Sequence, residues 1–209
     1  MWLYQVRLTE AVDAMVLGMV RALEARDPYT AFHSERVAAI ATDVGREMGL
    51  EERELELLER GARLHDIGKV GVPDRILRKE QTLSEEEWAW MRRHPELGEM
   101  LLRPLVHYLG NVIPVVLYHR ERFDGRGYPQ GLSGNEIPLL ARIVAVADAY
   151  EAMTSDRPYR RAKKPEKAMR ELLDLAGWQF DPRVVEAFAR AWARNPDWRE
   201  RKRYLVTVA

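Results

Sequence analysis

The chain has 209 residues, with 33 basic and 33 acidic side chains that give a formal net charge of zero at pH 7. This balance gives no reason to expect a DNA or RNA polymer as a partner, although it leaves small anions possible as ligands. The absence of cysteine excludes a disulfide framework and a thiolate metal site, so any metal would need histidine or carboxylate ligands.

Helical periodicity runs through the whole chain. Apolar spacing and helix-ending residues predict helices at 8–27, 30–49, 51–66, 84–93, 95–102, 111–121, 138–154, 164–176 and 181–195. Ser84 and Glu87 form a capping-box pattern at the start of one of them. None of the apolar runs approaches the ~18 residues of a membrane span, and the N-terminus lacks the pattern of a signal peptide. We therefore expect a cytoplasmic protein without a membrane partner.

The predicted first helix has an apolar stripe formed by Val12, Met15, Met19 and Leu23. Such a stripe suits packing within one chain, and it also suits pairing with a second subunit.

Two segments interrupt the helical pattern, residues 69–82 and residues 122–137. The second is rich in Gly and Pro, and a loop of that length inside a compact domain is usually functional. The sequence shows no internal repeat or linker. We expect an all-α fold, a single compact helical bundle over residues 1–209, with its core at about 8–195 and a C-terminal tail at 196–209.

Several ligand-type side chains fall on helix faces that otherwise point into the core, because residues i, i+3 and i+4 share a face. They are His33, His65, Asp66, His94, His119 and Asp148. Any one buried histidine is more often a hydrogen-bonded core residue than a ligand. A buried carboxylate such as Asp148 needs a cation, and its own helix face offers none. Since successive helical elements each supply such residues, we predict a metal site inside the bundle.

The adjacent pair His65 and Asp66 suits a dinuclear centre. Two divalent cations ~3.5–4 Å apart need a bridging anion, which Asp66 can supply while His65 completes one coordination shell. A water bridging the metals would act as a hydroxide nucleophile near neutral pH, which predicts hydrolysis of a phosphoester. Lys69 could then hold a phosphate oxygen or protonate the leaving oxygen. The alternative is that it is an ordinary surface lysine.

Ordered motifs covering nearly the whole chain resemble the HD-GYP domain, a branch of the HD metal-dependent phosphohydrolases. The motifs are HDIGK (65–69), HPELG (94–98), HRERFDGRGYPQGLSGNEIP (119–138) and ARIVAVADAYEAMTSDRPYR (141–160), with similar flanks at 24–38 and 180–188. The resemblance implies an all-α HD-domain fold with a long GYP-containing loop. It also implies a phosphodiesterase that hydrolyses the cyclic dinucleotide c-di-GMP to the linear dinucleotide pGpG or to GMP.

The resemblance further implies two divalent metal ions, Fe or Mn, with Zn, Ni and Mg as alternatives. One ion would have the ligands His33, His65, Asp66 and Asp148, and the other would have Asp66, His94 and His119. Asp66 and Lys69 match catalytic positions. The positions that match substrate contacts are Gly127, Tyr128 and Pro129 in the motif loop, and Arg157 and Arg160, whose guanidinium groups suit bidentate phosphate binding.

The sequence departs from the family pattern at Arg120, where many members have a second histidine, and at Tyr29, where some have a glutamate. Both missing groups are associated with a third metal in the family, so the departure favours a dinuclear centre. Arg120 then becomes a fixed cation beside the substrate phosphates.

Two other functions stay open. One is a catalytically weak c-di-GMP sensor or protein-interaction domain, which the complete dinuclear set disfavours. The other is an HD hydrolase of a different cyclic dinucleotide or nucleotide, which the intact GYP loop disfavours. Domains that resemble this one are commonly fused to receiver or sensor modules, so the expected partners beyond the small-molecule substrate are a second copy of the chain or such a regulatory module.

Overall fold

The computed structural model describes residues 2–26, 32–156, 161–196 and 198, without the side chains of residues 2–10 and 13. Most of the predicted tail at 196–209 lies outside these residues, as do Tyr29, Arg157 and Arg160.

The described residues form α-helices and short 3-10 turns and contain no β-strand, which confirms the all-α prediction. The helices are α1 (Trp2–Arg26), α2 (His33–Glu47), α3 (Glu52–Leu64), α4 (Asp74–Leu77), α5 (Glu85–Met91), α6 (His94–Leu102), α7 (Val106–Leu109), α8 (Ile113–Tyr118), α9 (Leu139–Thr154), α10 (Pro165–Asp174) and α11 (Pro182–Arg194). Within this part of the chain, none of these helices has the length and apolar character that a membrane crossing requires.

Two short helices, α4 and α7, lie where the sequence predicted no helix. Each has four residues, which is too short to show a helical period in the sequence. The capping box predicted at Ser84 is present, since the hydroxyl of Ser84 accepts a hydrogen bond from the N–H of Glu87 at 3.3 Å.

The stripe predicted on α1 is wrong at one position. Met15 is 55% exposed, whereas Val12, Val16, Val20 and Leu23 are buried. The buried residues recur every three or four positions, so α1 keeps an amphipathic face, turned slightly from the predicted one.

The core has two clusters of buried side chains. The larger one joins α2, α9, α10 and α11, with contributions from α3 and α8. The smaller one packs α1 against Leu64, Leu102, Leu109 and Val116, so the first helix has a partner within the chain. Helices α3 and α8 contribute to both clusters, and the candidate site is built beside them.

Candidate metal centre

The structure brings the six predicted ligand-type side chains together in one buried cluster. They come from the first residue of α2, the two residues after α3, the first residue of α6, the residue after α8, and the middle of α9. The six are His33, His65, Asp66, His94, His119 and Asp148, and all are buried.

The carboxylate of Asp66 lies between two pairs of imidazoles. Its Oδ2 atom is 3.3 Å from Nε2 of His65 and 4.0 Å from Nε2 of His33. Its Oδ1 atom is 3.4 Å from Nε2 of His94 and 3.7 Å from Nε2 of His119. Each oxygen therefore faces one pair, which is the arrangement that a carboxylate shared by two cations requires. The same residues form two potential metal-binding groups that have Asp66 in common.

Asp148 extends the cluster on the side of His33. Its Oδ1 atom is 3.3 Å from Nε2 of His33 and 3.9 Å from Nε2 of His65. Its Oδ2 atom is 3.1 Å from Nη1 of Arg120, and Nη2 of Arg120 is 3.5 Å from Oδ1 of Asp66. The guanidinium thus lies beside two carboxylates of the cluster and supplies a cation that the helix face of Asp148 lacks.

Three of the histidines are oriented by backbone carbonyls three residues earlier. The Nδ1 atoms of His65, His94 and His119 lie 2.6, 2.8 and 2.8 Å from the carbonyl oxygens of Ala62, Met91 and Val116. Because a carbonyl can only accept, each Nδ1 carries the proton and donates it. In the neutral imidazole this leaves the Nε2 lone pair free and directed into the cluster.

His33 is oriented differently, by a side chain. Its Nδ1 atom is 2.5 Å from Oε2 of Glu151, a carboxylate that is 3% exposed. Sequence reasoning did not identify Glu151, although it stands three residues after Asp148 on the same helix and therefore on the same face.

Two observations indicate that the cluster fits metal ions. Among the described residues, Nε2 of His65 is a buried polar atom without a hydrogen-bond partner, although it faces carboxylate oxygens. The Nε2 atoms of His94 and His119 lie 3.2 Å apart, and two lone pairs at that distance need a cation or a proton between them. Imidazole nitrogens with carboxylate oxygens suit Fe, Mn, Zn or Ni, whereas Mg prefers oxygen ligands.

The pKa values of the carboxylates favour their ionised forms. Burial acts to raise the pKa of Asp66, but Lys69 and His65 hold it well below its usual range. Burial also acts to raise the pKa of Asp148, and Arg120 and His33 lower it. Charged carboxylates are the form that binds metal.

The pKa values of the histidines differ from one another. Burial lowers the pKa of His94 well below its usual value and that of His119 to about 4, so both rings are neutral. Burial also acts to lower the pKa of His33, but hydrogen bonds to Asp148 and Glu151 raise it to about 9. A cation at Nε2 of His33 would therefore have to displace a proton.

Lys69 lies at the solvent side of the cluster. Its Nζ atom is 2.6 Å from Oδ2 of Asp66, and its side chain is 16% exposed. The 3-10 turn Ile67–Gly71 that carries it lies directly against α6. A Cβ atom at Gly68 would stand 1.8 Å from the carbonyl oxygen of His94, so this approach requires glycine.

The predicted GYP loop borders the cluster, and Gly127, Tyr128 and Pro129 are half-buried. The ring of Tyr128 stands edge-on to that of His94, with centroids 6.3 Å apart. The N–H of Tyr128 donates to the carbonyl of Arg120 at 3.2 Å. A Cβ atom at Gly127 would lie 2.3 Å from the nitrogen of Arg122, so the loop closes this tightly only with glycine.

The loop is held by Glu121, whose function the sequence did not reveal. Its Oε1 atom accepts hydrogen bonds from the N–H groups of Gln130 at 2.7 Å and Gly131 at 3.0 Å. Glu121 is buried and directly follows Arg120, so this anchor ties the loop to the end of α8.

A second glutamate missed by the sequence reasoning orients α2. The carboxylate of Glu24, on α1, accepts from the N–H of Phe32 at 3.2 Å and from that of Ser34 at 3.0 Å. These N–H groups belong to the unsatisfied first turn of α2, so Glu24 caps the helix that begins with His33. A capping residue from another helix leaves no local signal in the sequence.

The sequence matches the HD domain family over residues 19–184, a segment that contains all six clustered side chains. The chain belongs to the HD domain family, in its HD-GYP branch. This HD domain is 42% identical over 177 residues to a cyclic di-GMP phosphodiesterase response regulator of Xanthomonas campestris, a match covering 84% of this chain and 47% of that protein. It is 44% identical over 168 residues to a cyclic di-GMP phosphodiesterase of Thermotoga maritima, with 80% and 46% covered.

The chain spans about half the length of the curated relatives it matches. Among solved structures, the HD domain is similar to a cyclic GMP-AMP-specific phosphodiesterase of Vibrio cholerae, with a TM-score of 0.66 at 20% identity. That match covers 88% of this chain and 49% of the other. It shows a shared helical fold.

Proposed function

We propose that this chain is a metal-dependent phosphodiesterase that hydrolyses c-di-GMP. The observation that carries the proposal is the position of Asp66, whose two oxygens face two separate pairs of imidazoles. The proposal is further supported by relatives 42% and 44% identical that are named cyclic di-GMP phosphodiesterases.

This cluster would hold two divalent metal ions. We expect Fe or Mn first and Zn or Ni second, and Mg matches imidazole ligands least well. One would take His33, His65, Asp66 and Asp148, and the other Asp66, His94 and His119. When bound, such ions supply Lewis acidity at a phosphate group and make water at the site more acidic.

Lys69 would assist departure of the leaving group. Hydrolysis to pGpG forms a bond between a water oxygen and phosphorus and breaks the bond from phosphorus to a ribose O3′, which must gain a proton. An ammonium group at the solvent side of Asp66 is suited to hold a phosphate oxygen and to give that proton to O3′. A second hydrolysis of the linear product would give GMP.

Arg120 would be a fixed cation for the substrate phosphates. Its side chain is 31% exposed, so its guanidinium can contact a ligand while it stays beside Asp66 and Asp148. A permanent positive charge at this point also disfavours a third metal ion, which supports a dinuclear centre. Gly127, Tyr128 and Pro129 would border the substrate next to His94, and Arg157 and Arg160 would add further phosphate contacts.

Turnover of c-di-GMP tests the proposal, with protein purified anaerobically, loaded with Fe²⁺ or Mn²⁺, and the products identified by chromatography. We expect pGpG or GMP as product and no turnover in Asp66→Ala. Asp181→Asn is the matched control, because Asp181 is a buried carboxylate that pairs with Arg142, outside the cluster. Tight binding of c-di-GMP without turnover would favour a sensor, and faster cleavage of another cyclic dinucleotide would favour a different substrate.

The cellular setting is also part of the proposal. We propose a cytoplasmic enzyme controlled through a receiver or sensor module or through pairing with a second copy of the chain. Support comes from the response regulator among its relatives and from the greater length of those relatives.

A further inference from the structure

Glu151 distinguishes one half of the metal cluster from the other. The Nδ1 atoms of His65, His94 and His119 face neutral backbone carbonyls, whereas that of His33 faces the carboxylate of Glu151 at 2.5 Å. Hydrogen bonding to an anion is stronger than hydrogen bonding to a carbonyl, and it makes the opposite ring nitrogen a better electron donor.

The carboxylate of Glu151 is fixed at both oxygens. While Oε2 contacts His33, Oε1 accepts from Nε of Arg36 at 2.7 Å and from the hydroxyl of Ser155 at 2.7 Å. Arg36 lies three residues after His33 on α2, so the contacts join α2 to α9 immediately behind the ring of His33. The ring therefore has one orientation, with Nε2 directed at Asp148.

We propose that Glu151 is a positioning residue that gives the metal position formed by His33, His65 and Asp148 a higher affinity than it would have with a neutral partner behind His33. Among the described residues, the rings of His94 and His119 have backbone carbonyls behind them and no such carboxylate, and the affinity of their position does not depend on Glu151. This inference rests on the dinuclear centre proposed above.

Metal-binding isotherms of Glu151→Gln test the inference. The amide keeps the shape of the side chain and can still accept from Nδ1 of His33, but it has no charge. The probe is Mn²⁺, measured by equilibrium dialysis, and His94→Ala serves as a background in which the position next to His33 is measured alone. We expect Glu151→Gln to weaken Mn²⁺ binding there about 10- to 100-fold.

A second background, His33→Ala, leaves only the position formed by His94 and His119. It distinguishes an effect of Glu151 that acts through His33 from a general loosening of the fold. In His33→Ala, Glu151 has lost its partner imidazole, and we expect Glu151→Gln to leave the remaining Mn²⁺ affinity unchanged. The control Asp181→Asn, which alters a buried carboxylate that contacts none of the six side chains, should leave both positions unchanged. An equal loss of affinity in both backgrounds, or in the control, overturns the inference, as does unchanged binding in Glu151→Gln.

Folding of each variant is checked by circular dichroism. If Glu151→Gln does not fold, Glu151→Asp carries the test, because it keeps the charge but withdraws the oxygen from Nδ1 of His33, and the same selective loss is expected. The binding assay needs no substrate. Selective loss of Mn²⁺ affinity in Glu151→Gln, together with no c-di-GMP turnover by the parent protein, would sustain the inference and refute the proposed function. Turnover of c-di-GMP by the parent protein, together with unchanged Mn²⁺ affinity in Glu151→Gln, would sustain the proposed function and refute the inference.

Discussion

Adding one methyl group at Gly68 should damage the centre without touching a ligand-type side chain. In Gly68→Ala the new Cβ would stand 1.8 Å from the carbonyl oxygen of His94 and 2.4 Å from the nitrogen of Gly98. Ordinary contact begins at about 3.4 Å, so the turn and α6 must separate by about 1.6 Å. Both obstacles are backbone atoms, which cannot move aside as a side chain can.

Two effects follow from that displacement. Overpacking of a close contact costs roughly 1–3 kcal/mol, and the backbone obstacles place this case near 3 kcal/mol. At about 2–4 °C per kcal/mol for a chain of this size, the melting temperature should fall by about 6–12 °C. The turn carries Lys69 and α6 begins with His94, so turnover should fall by roughly 100-fold, the usual consequence of a misplacement of about 1 Å.

Thermal unfolding and c-di-GMP turnover measure both effects, and Gly18→Ala is the control. Gly18 lies on α1, and no heavy atom of the described residues lies within 4 Å of an added Cβ, so alanine there should stabilise the helix by about 0.5–1 kcal/mol and leave turnover intact. If Gly68→Ala retained the melting temperature and turnover of the parent, the close approach of the turn to α6 would not be what positions Lys69 and His94.

Three further outcomes are expected. Arg120→Ala should lower kcat/KM for c-di-GMP by about 100-fold, as loss of a preorganised positive donor does, and unchanged KM and kcat would remove Arg120 from the substrate site. Treatment with a chelator should abolish turnover and lower the melting temperature, with both restored by Mn²⁺, because ligands that bind only the folded state stabilise it; a melting temperature insensitive to the chelator would argue against metal in the cluster. Burial acts to raise the pKa of Asp181, but hydrogen bonds from Arg183 and Arg142 lower it, so its contribution to stability is present at neutral pH and lost as the pH falls through the lowered pKa. In urea unfolding, Asp181→Asn should therefore be less stable than the parent at pH 7, and the difference should shrink as the pH falls below the usual aspartate pKa; a difference that stays constant across that range would contradict this.

The sequence predicted the long helices and the ligand-type side chains for the same physical reason. An amphipathic helix repeats its buried face every three to four residues, so a histidine or aspartate on that face can be recognised from local spacing. The prediction failed where this period gave no information. Helices α4 and α7 are only one turn long. On α1, Met15 and Val16 are adjacent and both apolar, so the spacing did not show that Val16, and not Met15, is the buried one.

The remaining features depend on contacts between distant parts of the chain. The sequence showed that Asp148 needs a cation, but the guanidinium of Arg120 reaches it from another helix end, which local spacing cannot show. Glu24 and Glu121 likewise act on backbone N–H groups of other segments, at the start of α2 and in the GYP loop. A residue that stabilises a neighbouring segment leaves no periodic signal.

The carbonyls near helix ends explain how three of the four histidines are oriented. His65, His94 and His119 each come shortly after the C-terminal end of a helix, where the last carbonyls lack intrahelical donors and can accept from Nδ1. His33 begins α2, and the free backbone groups at the start of a helix are N–H donors, which cannot accept from an imidazole N–H. A ring at that end must find its acceptor elsewhere, and the carboxylate of Glu151 on α9 provides it. His94 also begins a helix, α6, but α5 ends at Met91 just before it and supplies a carbonyl. The two histidines that begin helices therefore differ in their acceptor, which is a neutral carbonyl for His94 and a carboxylate for His33.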